Sequence, residues 1–250
     1  MTAPQKPLKW YRELAGKKAR LDAGAFLIEG EKAISQVTGT HPEAVIEIIA
    51  SQEPPLEFRK FPVRLVSASR FSYISNTQSP QGIAAVVKLP ENTYTAHPPA
   101  DAGDRILLLE DIQDPGNTGT LIRSAAAFDF SGIVFSSKCA DPFSPKVVQA
   151  TAGAVKSLWI RVSPQYIELA KALQAKGYKL TAAELDGTDG PEVLHRNKII
   201  LALGNEAAGL SPALLETADY RVRIPIAREK AESLNAAVCG GILMYLSTMK

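Results

Sequence analysis

Two stretches of this chain, Ile106-Leu107-Leu108-Leu109 and Ile199-Ile200-Leu201-Ala202-Leu203, are apolar without interruption, and they constrain the fold more than any other feature. A strand with one wet face alternates polar and apolar residues. A strand covered on both faces does not, and such strands belong to parallel sheets sandwiched between helices. The surrounding chain supplies those helices. Candidate strands at 105–109, 132–136, 157–162, 178–183, 199–203 and 220–224 are interleaved with candidate helices at 117–128, 144–152, 164–176, 211–217 and 233–248. The alternation predicts an α/β domain built on a parallel sheet over residues 105–250.

The first 89 residues repeat the theme on a smaller scale. Residues 7–21 read as a helix, Phe26-Leu27-Ile28 as a short strand and Glu31 to Val37 as a second helix. Val45 to Ala50, Val63 to Val66 and Gly82 to Val87 read as further strands. Pro90, Pro98 and Pro99 punctuate a stretch with no apolar period, so residues 90–104 are expected to link a small α/β domain, 1–89, to the larger one.

Hydrophobic residues at 46% and charged ones at 22% are ordinary for a soluble globular chain with a sizeable core. A formal charge of +2 does not announce a polyanion ligand, but its distribution says more. Lys6, Lys9, Arg12, Lys17, Lys18 and Arg20 stand against Glu13 alone in the first 20 residues, with Trp10 and Tyr11 between them. Cations interleaved with aromatics suit phosphate contact and base stacking, with Lys17, Lys18 and Arg20 as candidate contacts; a solvated helix face accounts for the same residues. Cys139 and Cys239 are far apart with no CxxC spacing, and His41, His97 and His195 stand alone, so neither a disulfide framework nor a metal site is expected. The apolar run Ala236 to Leu246 is too short to span a bilayer and contains two glycines. With a polar, proline-bearing start, the expectation is a cytoplasmic protein with no membrane partner.

Chemistry-bearing residues gather in three clusters. The first follows the strand at 105–109: Glu110-Asp111-Ile112-Gln113-Asp114-Pro115-Gly116, then Asn117-Thr118-Gly119-Thr120-Leu121-Ile122-Arg123 opening a helix. Ligands of open α/β sheets bind where such strands end. Asn117 can cap the helix, and a well-capped helix explains that residue by itself. Arg123 stands among Leu121, Ile122 and Ala125 to Ala127, so it reads as buried and in need of a partner. A phosphate or carboxylate suits its forked donors, and an ion pair with Asp111 or Asp114 is the structural alternative.

The second cluster, Leu203-Gly204-Asn205-Glu206-Ala207-Ala208-Gly209-Leu210, ends a buried strand. Gly204 permits a sharp turn, Glu206 offers an acceptor and Gly209 a positive φ. In the third, Ile224-Pro225 ends a strand, Ser233 is a candidate N-cap, and Leu234 and Asn235 open a helix whose Gly240 and Gly241 imply close packing. No Gly-x-Gly-x-x-Gly follows the first strand of the larger domain and no P-loop occurs, which disfavours a nicotinamide enzyme and the common Rossmann methyltransferases.

Together the three clusters resemble the motifs of the SpoU/TrmH branch of the SPOUT RNA methyltransferases. Phe26-Leu27-Ile28-Glu29-Gly30 and Ser79-Pro80-Gln81-Gly82-Ile83-Ala84 look like the substrate-binding domain carried by many of its members. The resemblance implies a C-terminal SPOUT domain with a deep trefoil knot, preceded by an RNA substrate-binding domain. It implies a homodimer that moves a methyl group from S-adenosylmethionine to a ribose 2′-hydroxyl of structured RNA, ribosomal rather than transfer RNA. By the same carry-over Arg123 is the residue tied to catalysis, with Ser233 and Asn235 beside the methyl donor and Asn117 joining them in shaping the catalytic site. Gly204, Ile224, Leu234, Leu203 and Pro225 become cofactor contacts, and Glu206 a contact to RNA or a partner chain. Two departures bear on target choice: Phe128-Asp129-Phe130 where many members have Phe-Gly, and the charged loop Ala227 to Glu232. A transfer-RNA 2′-O-methyltransferase, a base-modifying SPOUT enzyme and an RNA-binding assembly factor without transfer activity are the competing readings.

Overall fold

A computed structural model of the chain describes residues 6–249; Met1 to Gln5, the start of the basic stretch, and Lys250 lie outside the described residues. In chain order the elements begin α1 (Leu8–Glu13), α2 (Lys17–Ala23), β1 (Ala25–Glu29), α3 (Glu31–Thr40), β2 (Val45–Ala50), β3 (Val63–Leu65), α4 (Ala68–Ile74) and β4 (Ile83–Lys88). They continue with β5 (Arg105–Leu109), α5 (Pro115–Ala127), β6 (Gly132–Phe135), α6 (Pro145–Thr151), β7 (Trp159–Val162) and α7 (Tyr166–Gln174). The chain closes with β8 (Lys179–Ala183), β9 (Ile199–Leu203), α8 (Pro212–Thr217), β10 (Tyr220–Val222) and α9 (Ala236–Leu246). Two compact units result: Met1–Glu91 with Asp141–Lys156, and Asn92–Ala140 with Ser157–Lys250.

The first unit is a four-stranded sheet in the order β1-β4-β2-β3, antiparallel except for the β2–β3 pair. The single helix expected over 7–21 is two, because Gly16 adopts an extended conformation and caps α2 instead of continuing α1. Glycine is among the poorest helix formers, and here the break is stabilised from within. The Arg20 guanidinium donates to the carbonyls of Leu14 and Ala15, which the interruption leaves without helical partners, at 2.9 and 2.7 Å. Its other end meets Asp141 at 2.7 Å, with both side chains largely out of solvent. Arg20 is therefore a buried structural residue and not the RNA contact expected of it, whereas Lys17 and Lys18 are exposed.

Asp141 belongs to the segment that carries α6, and that segment packs with the first unit. Phe143 meets the ring of Phe26 edge-on at 5.0 Å, and Gly153, with φ +95°, passes so near α3 that an added Cβ would lie 2.7 Å from the Ala33 carbonyl.

The second unit is a six-stranded sheet, parallel at every pairing, in the order β10-β8-β9-β5-β6-β7. β5 and β9 lie side by side at its centre, register Leu109↔Leu203 at their exits, and β9 is buried throughout, as an unbroken apolar run requires. Leu169, Leu173 and Leu214, from α7 and α8, close a core against Leu108, Leu180 and Ile200, while α9 lies against α5. Residues 92–104 run beside β7: Val162 donates to the Thr93 carbonyl at 2.7 Å, Arg161 to His97 at 3.0 Å and the Trp159 indole to Ala102 at 3.0 Å. β10 stops at Val222, so Ile224 and Pro225 follow the strand and are not its end.

Candidate active site

In a parallel sheet all strands exit at one edge, and the adjacent exits of β5 and β9 bring the first two clusters together. Asp114 caps α5, accepting from the Asn117 amide at 2.7 Å with Pro115 in the first helical position. This displaces Asn117 from the capping role expected of it and frees its side chain. The Asn117 amide donates to Glu206 at 2.8 Å, and its oxygen accepts from the Asn235 amide at 2.9 Å. One residue from each of the three clusters thus joins a single hydrogen-bonded chain, Asn235 to Asn117 to Glu206. Asn235, not Ser233, is the N-cap of α9: its oxygen accepts from the amides of Ala237 and Val238 at 2.9 and 3.2 Å. Ser233 is exposed two residues earlier.

The loop after β9 is tightly wound. Asn205 and Gly209 exchange backbone hydrogen bonds of 3.0 and 2.9 Å, Gly209 takes φ +69°, and the Asn205 side chain accepts from Ala207 and Ala208 at 3.0 Å each. A Cβ on Gly204 would sit 2.2 Å from the Gly209 carbonyl carbon and 2.4 Å from the Leu210 nitrogen. Glycine is obligatory there for want of space. Beside this loop opens a cavity of about 340 Å³. Leu203, Gly204, Glu206, Ile224, Ser233 and Leu234 all line it, and Pro225 does not. Asn117, Asn235 and Arg123 lie outside its wall, the two asparagines being connected to it through Glu206.

Residues that sequence reasoning passed over complete the wall: Glu184, Leu185 and Asp186 at the exit of β8, with Cys239 from α9. The same rule of converging strand exits, applied to β8, would have found the first three. Arg228 of the charged loop reaches this rim, donating to the Leu185 carbonyl at 2.5 Å and pairing with Asp186 at 2.7 Å. Burial pushes the Cys239 thiol up, which keeps it protonated and unreactive near neutrality.

Arg123 is exposed, which overturns the expectation of a buried guanidinium. Leu121, Ile122 and Ala125 face inward, while Thr120, Arg123 and Ala127, spaced by three and four residues, share the outer face of α5. Neither Asp111 nor Asp114 pairs with it: Asp111 is bonded to Ser136 and Lys138, and Asp114 caps the helix. Among the described residues Arg123 makes no hydrogen bond or ion pair within the chain. Its fork of donors is available to an anion arriving from outside.

The two glycines of α9 differ. A Cβ on Gly240 would fall 2.3 Å from a Leu121 methyl and 2.7 Å from one of Leu203, so α9 is seated hard against α5 and β9. A Cβ on Gly241 would meet nothing within 4 Å, so close packing inside the chain accounts for one glycine only. Among the described residues no group of His, Cys, Asp and Glu is placed to hold a metal ion, and no helix is long and apolar enough to cross a membrane.

Comparison with known proteins bears directly on this arrangement. Residues 104–245 match the SpoU rRNA Methylase family, and residues 6–85 match the MRM3-like substrate binding domain. The chain is 32% identical over 250 residues to the 23S rRNA (guanosine(2553)-2′-O)-methyltransferase RlmP of Bacillus subtilis, covering 98% of this chain and 96% of that one. A putative RNA methyltransferase of the TrmH family from Porphyromonas gingivalis superposes with a TM-score of 0.82 at 29% identity, over 99% of this chain and 98% of the other. The SpoU methyltransferase AviRb from Streptomyces viridochromogenes, solved in complex with AdoMet, gives a TM-score of 0.82 at 26% identity over 98% and 97% of the two chains.

Proposed function

This chain belongs to the SpoU rRNA methylase family, and on that premise we propose that it transfers a methyl group from S-adenosylmethionine to a ribose 2′-hydroxyl of ribosomal RNA. The observation that carries the reading is the side-chain bridge from Asn235 through Asn117 to Glu206, which ties the three clusters together beside one cavity.

The cavity suits the donor. Leu203, Ile224 and Leu234 give an apolar wall for a nucleoside, and the wound loop from Gly204 to Leu210 offers backbone groups where a side chain on Gly204 could not fit. The bound donor supplies an electrophilic methyl group. What the protein must add is a ribose oxygen held in line with it. Arg123 remains protonated and is no base; its free fork grips an RNA phosphate and so fixes the neighbouring ribose. Asn117, held at both ends by Glu206 and Asn235, keeps a rigid polar edge toward that ribose, and Ser233 lies on the cavity rim. The hydroxyl proton leaves to the phosphate or to water.

The catalytic unit in this reading is a dimer. Beyond Arg123 and Ala127, the outer face of α5 and α9 exposes Val238 (51%), Tyr245 (52%) and the open flank of Gly241, with Phe128 against the Tyr245 ring. An apolar stripe of that kind, with an unengaged arginine on it, fits a second copy whose Arg123 completes the site. The trefoil knot belongs to the same reading, supported by the adjacency of β5 and β9 and the seating of α9 on α5. Residues 1–89 serve as the RNA substrate-binding domain and 105–250 as the methyltransferase domain, joined by 90–104, with the 141–156 segment packed into the former. Exposed Lys17 and Lys18, with Arg12 over the Tyr73 ring at 4.7 Å, offer RNA the charge and stacking surface it binds. Such an enzyme works in the cytoplasm, on ribosomal RNA.

Mapping ribose methylation across total RNA from cells with and without the protein is the decisive experiment. One ribosomal nucleotide should lose its mark in the protein's absence. A lost mark on transfer RNA or on a nucleobase would move the assignment, and no heat on titration with S-adenosylmethionine would indicate an RNA-binding assembly factor.

A further inference from the structure

The site described so far makes no use of a buried charge at the exit of β5. Glu110, 3% exposed, follows β5 directly and lies outside the wall of the cavity, yet it holds the Gly204–Leu210 loop at both ends. Its backbone amide donates to the carbonyl of Leu203, the residue before the loop, at 2.9 Å. Its carboxylate accepts from the backbone amide of Ser211, the residue after the loop, at 2.6 Å and from the Ser211 hydroxyl at 2.7 Å. The Tyr166 hydroxyl donates to the same carboxylate, and burial together with that contact pushes the phenol up. Asp111, next in the chain, takes φ +57°, an uncommon conformation for a residue with a side chain, and its carbonyl accepts from the Asn205 side chain at 2.9 Å.

We propose that Glu110 is a positioning residue for the methyl donor: its backbone and carboxylate span the Gly204–Leu210 loop and hold it in the shape that binds. Asp111 adds a third tie inside the loop. The inference rests on the donor-pocket reading and deepens it. The loop's own hydrogen bonds, between Asn205 and Gly209, close its interior but do not fix it to the sheet. A buried carboxylate with three donors can fix it, because each such bond is charge-assisted and none can be exchanged for water without opening the core. A neutral amide at position 110 has one acceptor oxygen and introduces donors facing donors.

The test uses the full-length protein with S-adenosylmethionine as the probe, measuring its Kd by calorimetry, kcat and KM for donor and RNA, and thermal stability. In E110Q the Kd and KM for S-adenosylmethionine should rise by about tenfold or more, the loss of one or two charged hydrogen bonds. kcat at saturating donor and KM for RNA should stay within about twofold of wild type. Y166F, which removes a single donor and leaves Ser211 in place, should fold normally and shift donor affinity in the same direction by less, so it answers the question if E110Q fails to fold. Donor affinity unchanged in Y166F and in folded E110Q overturns the inference, as does a fall in kcat that merely tracks lost folded protein. Failure of wild type itself to bind S-adenosylmethionine would instead overturn the pocket reading.

Discussion

The side-chain amide of Asn235 donates to the side-chain oxygen of Asn117 at 2.9 Å, across 118 positions of sequence, while the Asn235 oxygen caps α9. The same residue therefore has a structural duty and a site duty, and substitution separates them. Asn235→Ala should cost about 1 kcal/mol of stability through the lost cap, whereas Asn117→Ala leaves both caps intact and should cost less. Both should slow methyl transfer, and the double variant should be little worse than Asn117→Ala alone, since that substitution already breaks the bond to Asn235 as well as the one to Glu206. Urea denaturation and single-turnover assays measure the two effects; fully additive rate losses would show that the bridge does not act as a unit.

Arg123 is exposed and, among the described residues, makes no hydrogen bond or ion pair, so its removal should not disturb the fold. Arg123→Ala is expected within about 0.5 kcal/mol of wild-type stability and at least about a hundredfold slower in transfer. Arg123→Lys keeps the charge but loses the fork and should fall between. Single-turnover transfer by Arg123→Ala at the wild-type rate would remove this residue from the mechanism.

The glycines of α9 give opposite predictions. Gly240→Ala drives a methyl group into Leu121 and Leu203 and should destabilise by about 1–3 kcal/mol. Gly241→Ala meets nothing within the chain, and on helix propensity alone should stabilise the monomer by up to about 1 kcal/mol. Weakened self-association by Gly241→Ala in light scattering, with monomer stability unharmed, is the result expected if that flank faces a second copy.

Alkaline conditions probe the first unit. Burial and a hydrogen bond to Glu47 push the Tyr11 phenol up from 10.0 to about 12. A pKa raised in the folded state contributes stability that is full below the unfolded value and lost as pH rises toward the folded one. Unfolding free energy should therefore decline between about pH 10 and 12, and Tyr11→Phe should flatten that decline. Denaturant titrations at stepped pH measure it; an unchanged slope in Tyr11→Phe would assign the decline to other groups.

Arg20 and the surface lysines should behave differently, although all were candidate RNA contacts. Arg20→Ala leaves Asp141 buried without its partner and frees the carbonyls of Leu14 and Ala15, a loss of about 3–5 kcal/mol. Lys18→Glu should leave stability nearly unchanged and weaken RNA binding in filter assays, with a shallower salt dependence.

What could be read from the residues alone was what local pattern determines. The unbroken apolar runs of β5 and β9 could only be strands covered on both faces, and their shared exit edge followed from parallel pairing. Misreadings arose where two residues competed for one role or where partners were distant. Asp114 and Asn117 are both good caps, and the proline after Asp114 decides between them; Ser233 and Asn235 pose the same choice, and Asn235 takes the role by accepting from Ala237 and Val238. Arg123 was judged by its neighbours in sequence, but on a helix its spatial neighbours are Thr120 and Ala127. The bond between Arg20 and Asp141 spans 121 positions, and no local signal marks it.

The excursion of residues 141–156 into the first unit has a consequence for biosynthesis. Ribosomes deliver the chain from its amino end, so when Glu91 emerges the small sheet still lacks α6, one of the helices that pack on β1, with Phe26 and Arg20 awaiting Phe143 and Asp141. The amino-terminal half cannot mature before the other half is well under way. Any attempt to express it alone, cut after residue 91, would yield a protein with an open hydrophobic flank and an orphaned cation.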